Sequence, residues 1–368
     1  MDCLVVGAGF SGITLAERIA SQLDKNVLLI DRRNHIGGNC FDYYNDDGIL
    51  VHKYGPHYFR TNNYVVRDYL AQFTGWHHVQ YKILTFVDGQ YYNFPVNLDT
   101  FNNFFDLSLN SEQMAEMLKE LSVECDEIRN SRDVIVSKIG ERLYERFYKN
   151  YTKKQWGIGP EELNPSVCAR IPIRTNRDDR YLNDEFQAMP KDGYHKLFER
   201  MIDHPNIELR LNTEYTDIAG NIEGKPVVFT GPVDEFFDYR FGKLPYRSLR
   251  FEHETLDREF YQPTSQVNYP NDHKYTRIVE IKHVTGQYHP RTTIVREYPV
   301  AEGDPYYPVP RPENEVLCQK YLEAEKELKN VFFTGRLARY RYLNMDQVVA
   351  QALELYERVF ARKSGHKG

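Results

Sequence analysis

The first forty residues constrain the fold more than any other stretch. Cys3-Leu4-Val5-Val6 is a short apolar run with strand character, Gly7-Ala8-Gly9-Phe10-Ser11-Gly12 is a glycine turn, and a helix-like run continues to about Gln22. A second apolar run, Val27 to Ile30, ends at Asp31, 19 residues after Gly12. Strand, glycine turn, helix, strand and acid is the order that a dinucleotide site requires. Gly7 permits the tight turn, Gly9 lets the backbone approach a pyrophosphate, and Gly12 lets the helix pack on the sheet. Free amides at the helix start, around Phe10 and Ser11, then face the phosphates with the helix dipole behind them. Asp31 is placed to accept from the adenosine ribose hydroxyls. Glycine turns alone are common, but two strands and an acid around this one favour a dinucleotide site over an empty turn.

The residues after Asp31 select the cofactor. Arg32 and Arg33 are a basic pair, and Asn34-His35-Ile36-Gly37-Gly38-Asn39 adds a second glycine step directly after the strand. FAD lies extended, and its pyrophosphate and ribityl chain need a second close backbone approach. A nicotinamide site has no such need. This segment resembles the amine-oxidase-like FAD-binding group, so FAD is expected rather than NAD.

Composition narrows the class. With 368 residues, 41% of them hydrophobic and 27% charged, the chain is expected to form two or three globular domains. A net charge of −6 argues against nucleic-acid binding, and no apolar run approaches the roughly 20 residues that span a bilayer. Met1-Asp2 leads directly into a strand, so no signal peptide is expected and a cytoplasmic location is. The five cysteines are odd in number and far apart, which fits reduced thiols and suggests neither a disulfide frame nor a metal site.

Along the chain, residues 1–80 read as the first part of the FAD domain, with a hairpin around Asp46-Asp47-Gly48 and a ligand-lining loop from Tyr54 to Thr61. Residues 81–160 read as an inserted helical domain. Ser111 caps one apolar stripe, and Val134 to Tyr148 reads as one helix with Val136, Ile139, Leu143 and Phe147 on a side. Prolines and dense charge make 161–190 a mobile loop and sheet segment. The chain rejoins the FAD domain over 191–242, through strands at Ile207–Leu211 and Pro226–Gly231. Polar–apolar alternation makes 243–315 an antiparallel sheet with one wet face, including Arg277 to Lys282. The last part, 316–368, supplies a strand and turn at Asn330–Arg336 and a helix from Met345 to Val359, with a frayed tail from Ala361. Gly335, Arg336, Met345 and Asp346 sit where that unit would present amides and side chains to the cofactor. The fold class is α/β: a Rossmann-like FAD-binding domain with an inserted helical domain and an antiparallel β-sheet domain.

Several further motifs, taken with the FAD fingerprint, resemble the flavin-dependent UDP-galactopyranose mutases. They are Tyr54-Gly55-Pro56-His57, Tyr151-Thr152-Lys153-Lys154-Gln155-Trp156-Gly157, Gln187-Ala188-Met189-Pro190, Leu244-Pro245-Tyr246-Arg247, Gly335-Arg336-Leu337 and Tyr340-Arg341-Tyr342-Leu343. The resemblance runs over nearly the whole chain. It implies an isomerase that interconverts UDP-galactopyranose and UDP-galactofuranose by attack of reduced FAD N5 on the anomeric carbon. Arg170 on the proline-flanked loop and Arg277 match arginines that gather the diphosphate, and His57 matches a flavin-side histidine. Arg247 is a third arginine candidate, with Tyr181, Tyr307 and Tyr342 as hydroxyl donors. Phe147 and Tyr151 offer flat faces to uracil, and Thr152, Trp156 and Asn268 match positions lining the nucleotide and sugar pocket. Tyr54, Tyr342 and Asn39 are also expected at the cofactor. The resemblance further implies an external reductant such as NAD(P)H to prime the flavin and a role in surface polysaccharide, and it allows for a homodimer.

Two positions depart from many bacterial members: Arg60 replaces a histidine, and Asn344 replaces an aspartate, although Asp346 keeps the second acid. A fixed charge at Arg60 could reshape the space around the sugar 2-substituent, so UDP-N-acetylgalactosamine or UDP-arabinopyranose is an alternative substrate. The rival readings are an amine-oxidase-like flavin oxidoreductase and a UDP-sugar or FAD-binding protein without turnover.

Overall fold

The computed structural model describes residues 1–222 and 224–361. Its organising element is a five-stranded parallel sheet in the order Ile207–Arg210, Val27–Ile30, Cys3–Val6, Val227–Phe229, Val331–Phe333. Every neighbouring pair runs parallel, with Val5 opposite both Leu29 and Val228. The central strand is apolar throughout because both of its faces are covered. Val5, Leu29 and Val228 face a core made with Ile13, Ala16 and Ile19 of the helix Phe10–Leu23 and Val349 and Ala352 of the helix Met345–Leu355. Leu4, Leu28 and Val227 face the other side, against Tyr321 and Phe333.

A seven-stranded sheet forms the second layer system. Its order is Tyr307–Pro308, Tyr246–Leu256, Thr292–Val300, Arg277–Val279, Gln266–Asn268, Ile83–Val87, Gln90–Phe94. The pairings are antiparallel except between Gln266–Asn268 and Ile83–Val87. Segment 81–160 is therefore not wholly helical, because its first strands close the edge of this sheet through a tight turn at Asp88 and Gly89, both at positive φ. The strand starting at Arg277 also stops at Val279, and Lys282–Thr285 makes a helical turn.

The helices Leu98–Phe105, Ser111–Leu121 and Ser131–Leu143 bury Phe101, Met114, Leu118, Ile135 and Ile139 in a separate core. The expected single helix from Val134 to Tyr148 is broken at Gly140, which sits at φ +76°, ψ 173°. A Cβ there would lie 2.3 Å from the Leu121 carbonyl oxygen, so the preceding helix packs where only glycine fits. The chain resumes as a π-helical turn, Tyr144–Lys149, and a helix, Asn150–Trp156. The Pro-flanked segment contains one helical turn, Ser166–Ala169. The helix Pro312–Glu325 has no counterpart in the sequence reading. The tail expected to fray lies outside the described residues except for Ala361 itself.

The first helix lies so close to the sheet that a Cβ on Gly12 would come within 1.9 Å of the Gly7 carbonyl oxygen and 3.1 Å of Val5 Cγ1. Gly12→Ala is expected to cost about 1–3 kcal/mol through forced overpacking. Denaturant unfolding should show a lower midpoint at unchanged slope, and purified protein should retain less flavin.

Candidate active site

Two cavities meet inside the molecule. The first lies at the carboxyl ends of the parallel strands, where open α/β sheets bind ligands. Gly7 adopts φ +100°, and a Cβ there would collide with Thr230 Oγ1 at 2.0 Å. Gly9 faces the second glycine step so closely that a Cβ on Gly38 would be 3.1 Å from the Gly9 Cα. The Gly37 amide donates to the Ala8 carbonyl at 2.7 Å and ties the two glycine segments together. Asp31 accepts from the Ala8 amide at 2.7 Å and from the Arg33 amide at 2.8 Å. Its first task is thus to hold the turn, and each carboxylate oxygen keeps a lone pair for a ribose hydroxyl. No side chain caps the helix Phe10–Leu23, and its first turn carries no acid. Its amides are left for an anion. The cradle, with Arg32, Asn39 and Gly335 also in its wall, fits the extended diphosphate of FAD.

The second cavity is walled by the helical segment 147–156, the short helix before Arg170, and the seven-stranded sheet. It gathers Arg60, Phe147, Tyr151, Thr152, Trp156, Arg170, Tyr181, Asn268, Arg277, Tyr307 and Tyr342. These residues are spread over more than 280 positions of the chain. His57, Arg336 and Met345 line both cavities and mark the junction.

The charge balance of this second wall is one-sided. Among the described residues it contains four arginines and no aspartate or glutamate. Arg60 is paired with Asp184 at 2.6 Å, and Arg277 with the fully buried Glu297 at 2.6 Å. Arg170 and Arg336 have no carboxylate partner among the described residues. Arg170 lies 4.5 Å, and Arg336 5.1 Å, from the centre of the Tyr342 ring, which stacks on Tyr307. Burial opposes ionisation of Tyr342, but Arg170 and Arg336 outweigh it and pull the phenol below its usual range. Arg170 is solvent-accessible through the open cavity although protein surrounds it. Arg336 is fixed by donating from Nε (3.1 Å) and its terminal nitrogen (2.5 Å) to the Leu343 carbonyl.

His57 cannot add to this charge. Its Nδ1 is 3.0 Å from the Gly55 carbonyl, which can only accept, so the proton sits on Nδ1 and Nε2 keeps a lone pair. Burial, reinforced by Arg336, pushes its pKa down to about 4, and the ring is neutral at pH 7.

Four expectations are corrected. Arg247 is not in the cavity wall: its Nε donates to the Gln155 carbonyl at 3.1 Å, so it holds the C-terminal end of the helix Asn150–Trp156. Asp346 accepts from Thr61 Oγ1 at 3.0 Å and lines a shallow hollow with Asn62 and Asp184 rather than either cavity. Gly12, expected at the cofactor as part of the glycine turn, does not line the cleft, while its expected packing of the helix on the sheet is seen. Tyr54 lies in the second wall rather than the first and bonds His35 Nε2 at 2.7 Å. Phe147 is 2% exposed, edge-on to Tyr92 and Phe104, so it is a core residue that shows one edge of the core to the cavity. Arg33 of the basic pair is also in the first wall, and sequence reasoning passed over Thr213, Thr230 and Glu235 there. Thr213 and Thr230 lie just beyond strands legible in the sequence, where the strand-end rule could have found them.

The chain matches the family described as UDP-galactopyranose mutase over residues 146–342, and the NAD(P)-binding Rossmann-like domain over residues 5–73. It is 38% identical to a probable UDP-galactopyranose mutase of Klebsiella pneumoniae, over 96% of this chain and 93% of that one. It is 36% identical to the dTDP-fucopyranose mutase of Escherichia coli, over 95% of this chain and 96% of that one. A crystal structure of reduced UDP-galactopyranose mutase shares the fold with a TM-score of 0.76, over 98% of this chain and 96% of that one, at 16% identity.

The arrangement of Tyr342 makes a spectroscopic expectation. Ultraviolet titration of the unliganded protein should show one phenol ionising below the ordinary value of about 10. Tyr342→Phe should abolish that step and Arg170→Ala should move it upward.

Proposed function

The chain belongs to the UDP-galactopyranose mutase family, and from that premise we propose that it interconverts UDP-galactopyranose and UDP-galactofuranose in the cavity lined by Arg170 and Arg277. The observation that carries the proposal is the wall of four arginines, two of them without a carboxylate partner among the described residues, opening at His57 and Arg336 onto a dinucleotide cleft. FAD is the cofactor and the enzyme is an isomerase.

When bound and reduced, FAD supplies the nucleophile for the anomeric carbon. The chain's own residues do the rest. Arg170 and Arg336 bring two uncompensated positive charges, which match the two negative charges of a UDP-sugar diphosphate. They also stabilise the further charge that builds on the leaving UDP, in a cavity where such contacts are stronger than in water. Arg277 contributes donors from the side not held by Glu297, since its Nε has no hydrogen-bond partner. Tyr342 and Tyr307 offer hydroxyls to the same oxygens, and Tyr342 lies directly against Arg170. Tyr151, Thr152, Trp156 and Asn268 hold the uridine, with the edge of Phe147 behind them. The neutral His57 and the cleft residues Gly9, Gly38, Ser11 and Asp31 orient the cofactor so that its reactive ring meets the sugar at the junction.

Arg60 sets the sugar preference in this reading, because its guanidinium is both in the wall and anchored by Asp184. The reading also includes a cytoplasmic homodimer, an external reductant such as NAD(P)H, and a product used in surface polysaccharide. No helix of the described residues is long and apolar enough to cross a membrane.

Anaerobic incubation of dithionite-reduced enzyme with UDP-galactopyranose, followed by separation of the UDP-sugars, is expected to give furanose without stoichiometric acceptor. An oxidoreductase would consume acceptor, and a binding protein would return only the starting sugar. Arg170→Ala is expected to lower kcat by about 10²–10³, the usual loss for one donor to a developing anion. Turnover of UDP-galactopyranose, UDP-N-acetylgalactosamine, UDP-arabinopyranose and dTDP-fucopyranose should be compared for wild type and Arg60→His. Unchanged ratios would remove Arg60 from the account of specificity.

A further inference from the structure

The helix Asn150–Trp156 carries Tyr151, Thr152 and Trp156 on its cavity side, but Lys154 points elsewhere. Its ammonium donates to three backbone carbonyls: Tyr269, His273 at 2.8 Å and Tyr275 at 3.2 Å. All three belong to one turn, 269–276, which links the strand Gln266–Asn268 to the strand Arg277–Val279. Asn268 and Arg277 are directly opposite each other at the mouth of that turn, and both line the cavity. The turn closes through Tyr269 N to the Thr276 carbonyl at 2.8 Å. A second stitch runs beside the first: Asn271 accepts from Asn150 Nδ2 at 3.0 Å and donates to the Arg146 carbonyl at 3.1 Å.

An ammonium has three donors, and here each has a carbonyl. Burial pushes the Lys154 pKa down to about 8, against the pull of Asp272, which shows how far this group has been taken from water to make the contact. A surface lysine gains little from such a position. This one joins the helix that carries Tyr151, Thr152 and Trp156 to the two strands that carry Asn268 and Arg277, all of them in the cavity wall.

We propose that Lys154 is a positioning residue that clasps the two walls of the cavity together and thereby sets affinity for the nucleotide rather than the rate of turnover. The identity of the nucleotide as UDP rests on the proposed function. Lys154 lines neither cavity. It fixes the separation of Thr152 and Trp156 from Asn268, the uridine contacts that substrate and product share. Interactions shared equally by ground and transition state move KM and leave kcat alone.

The test uses the FAD-loaded enzyme. UDP affinity by calorimetry and steady-state turnover of UDP-galactopyranose are measured for wild type, Lys154→Met, Lys154→Arg and Asn271→Ala. Lys154→Met is expected to weaken UDP and raise KM by about tenfold, with kcat within about twofold of wild type. Lys154→Arg should recover most of the affinity, and Asn271→Ala should shift it in the same direction by less. Unchanged UDP affinity in Lys154→Met, or a fall in kcat at constant KM, would overturn the proposal. If Lys154→Met does not load FAD, the milder Asn271→Ala decides, and unchanged UDP affinity there overturns it equally. Wild-type enzyme that binds UDP but does not isomerise UDP-galactopyranose would remove the proposed activity, while UDP affinity would still judge the clasp.

Discussion

The contact between two glycine backbones, Gly9 and Gly38, is the constraint on which the rest depends. It exists because neither residue has a Cβ, and it is locked by the Gly37 amide on the Ala8 carbonyl and by Asp31 on the Ala8 amide. With the two segments held edge to edge, the uncapped helix Phe10–Leu23 leaves its first amides free at a groove that both glycine segments line. The groove ends at His57 and Arg336. The second cavity opens at that end.

At the junction the chain builds an anion site by subtraction. It places four arginines in one wall, neutralises two of them with Asp184 and the buried Glu297, and leaves two. Both neutralising carboxylates stand behind the wall rather than in it, so among the described residues no fixed negative charge faces the ligand. Keeping cations together in a partly desolvated cavity is costly unless a counter-charge is at hand. Tyr342, which lies against Arg170 and Arg336 and stacks on Tyr307, meets only a little of that need through its ring face. A diphosphate meets it better, and the preference for an anionic ligand follows from this electrostatic strain.

Sequence reasoning fell short where distant segments meet. The helix expected from Val134 to Tyr148 has continuous apolar periodicity, yet Gly140 breaks it, because the Leu121 carbonyl occupies the place of a side chain. Periodicity cannot report a neighbour 19 residues away. The strands Ile83–Val87 and Gln90–Phe94 were legible through Asp88-Gly89, a tight-turn pair, but the helical pattern beyond Pro95 absorbed them. The helix Pro312–Glu325 has almost no amphipathic stripe, and only the packing of its Cys318 and Tyr321 into the core with Leu4, Val227 and Phe333 identifies a buried face. Arg247 and Asp346 illustrate the same limit at the site. A motif match gives a residue an address in the chain, whereas the direction of its side chain depends on which backbone carbonyls or hydroxyls it meets.

The sequence by itself determined the dinucleotide fold, the choice of FAD and the family. Those rest on local rules: strand, turn, helix, strand and acid within forty residues, and motifs a few residues long. The tertiary structure alone decided which arginines are free and which are neutralised, that Asn268 and Arg277 stand opposite each other, and that Lys154 reaches across to the turn between them. These are relations between segments far apart in the chain. Charge compensation and wall separation are set by distances in space, and no spacing along the sequence encodes them.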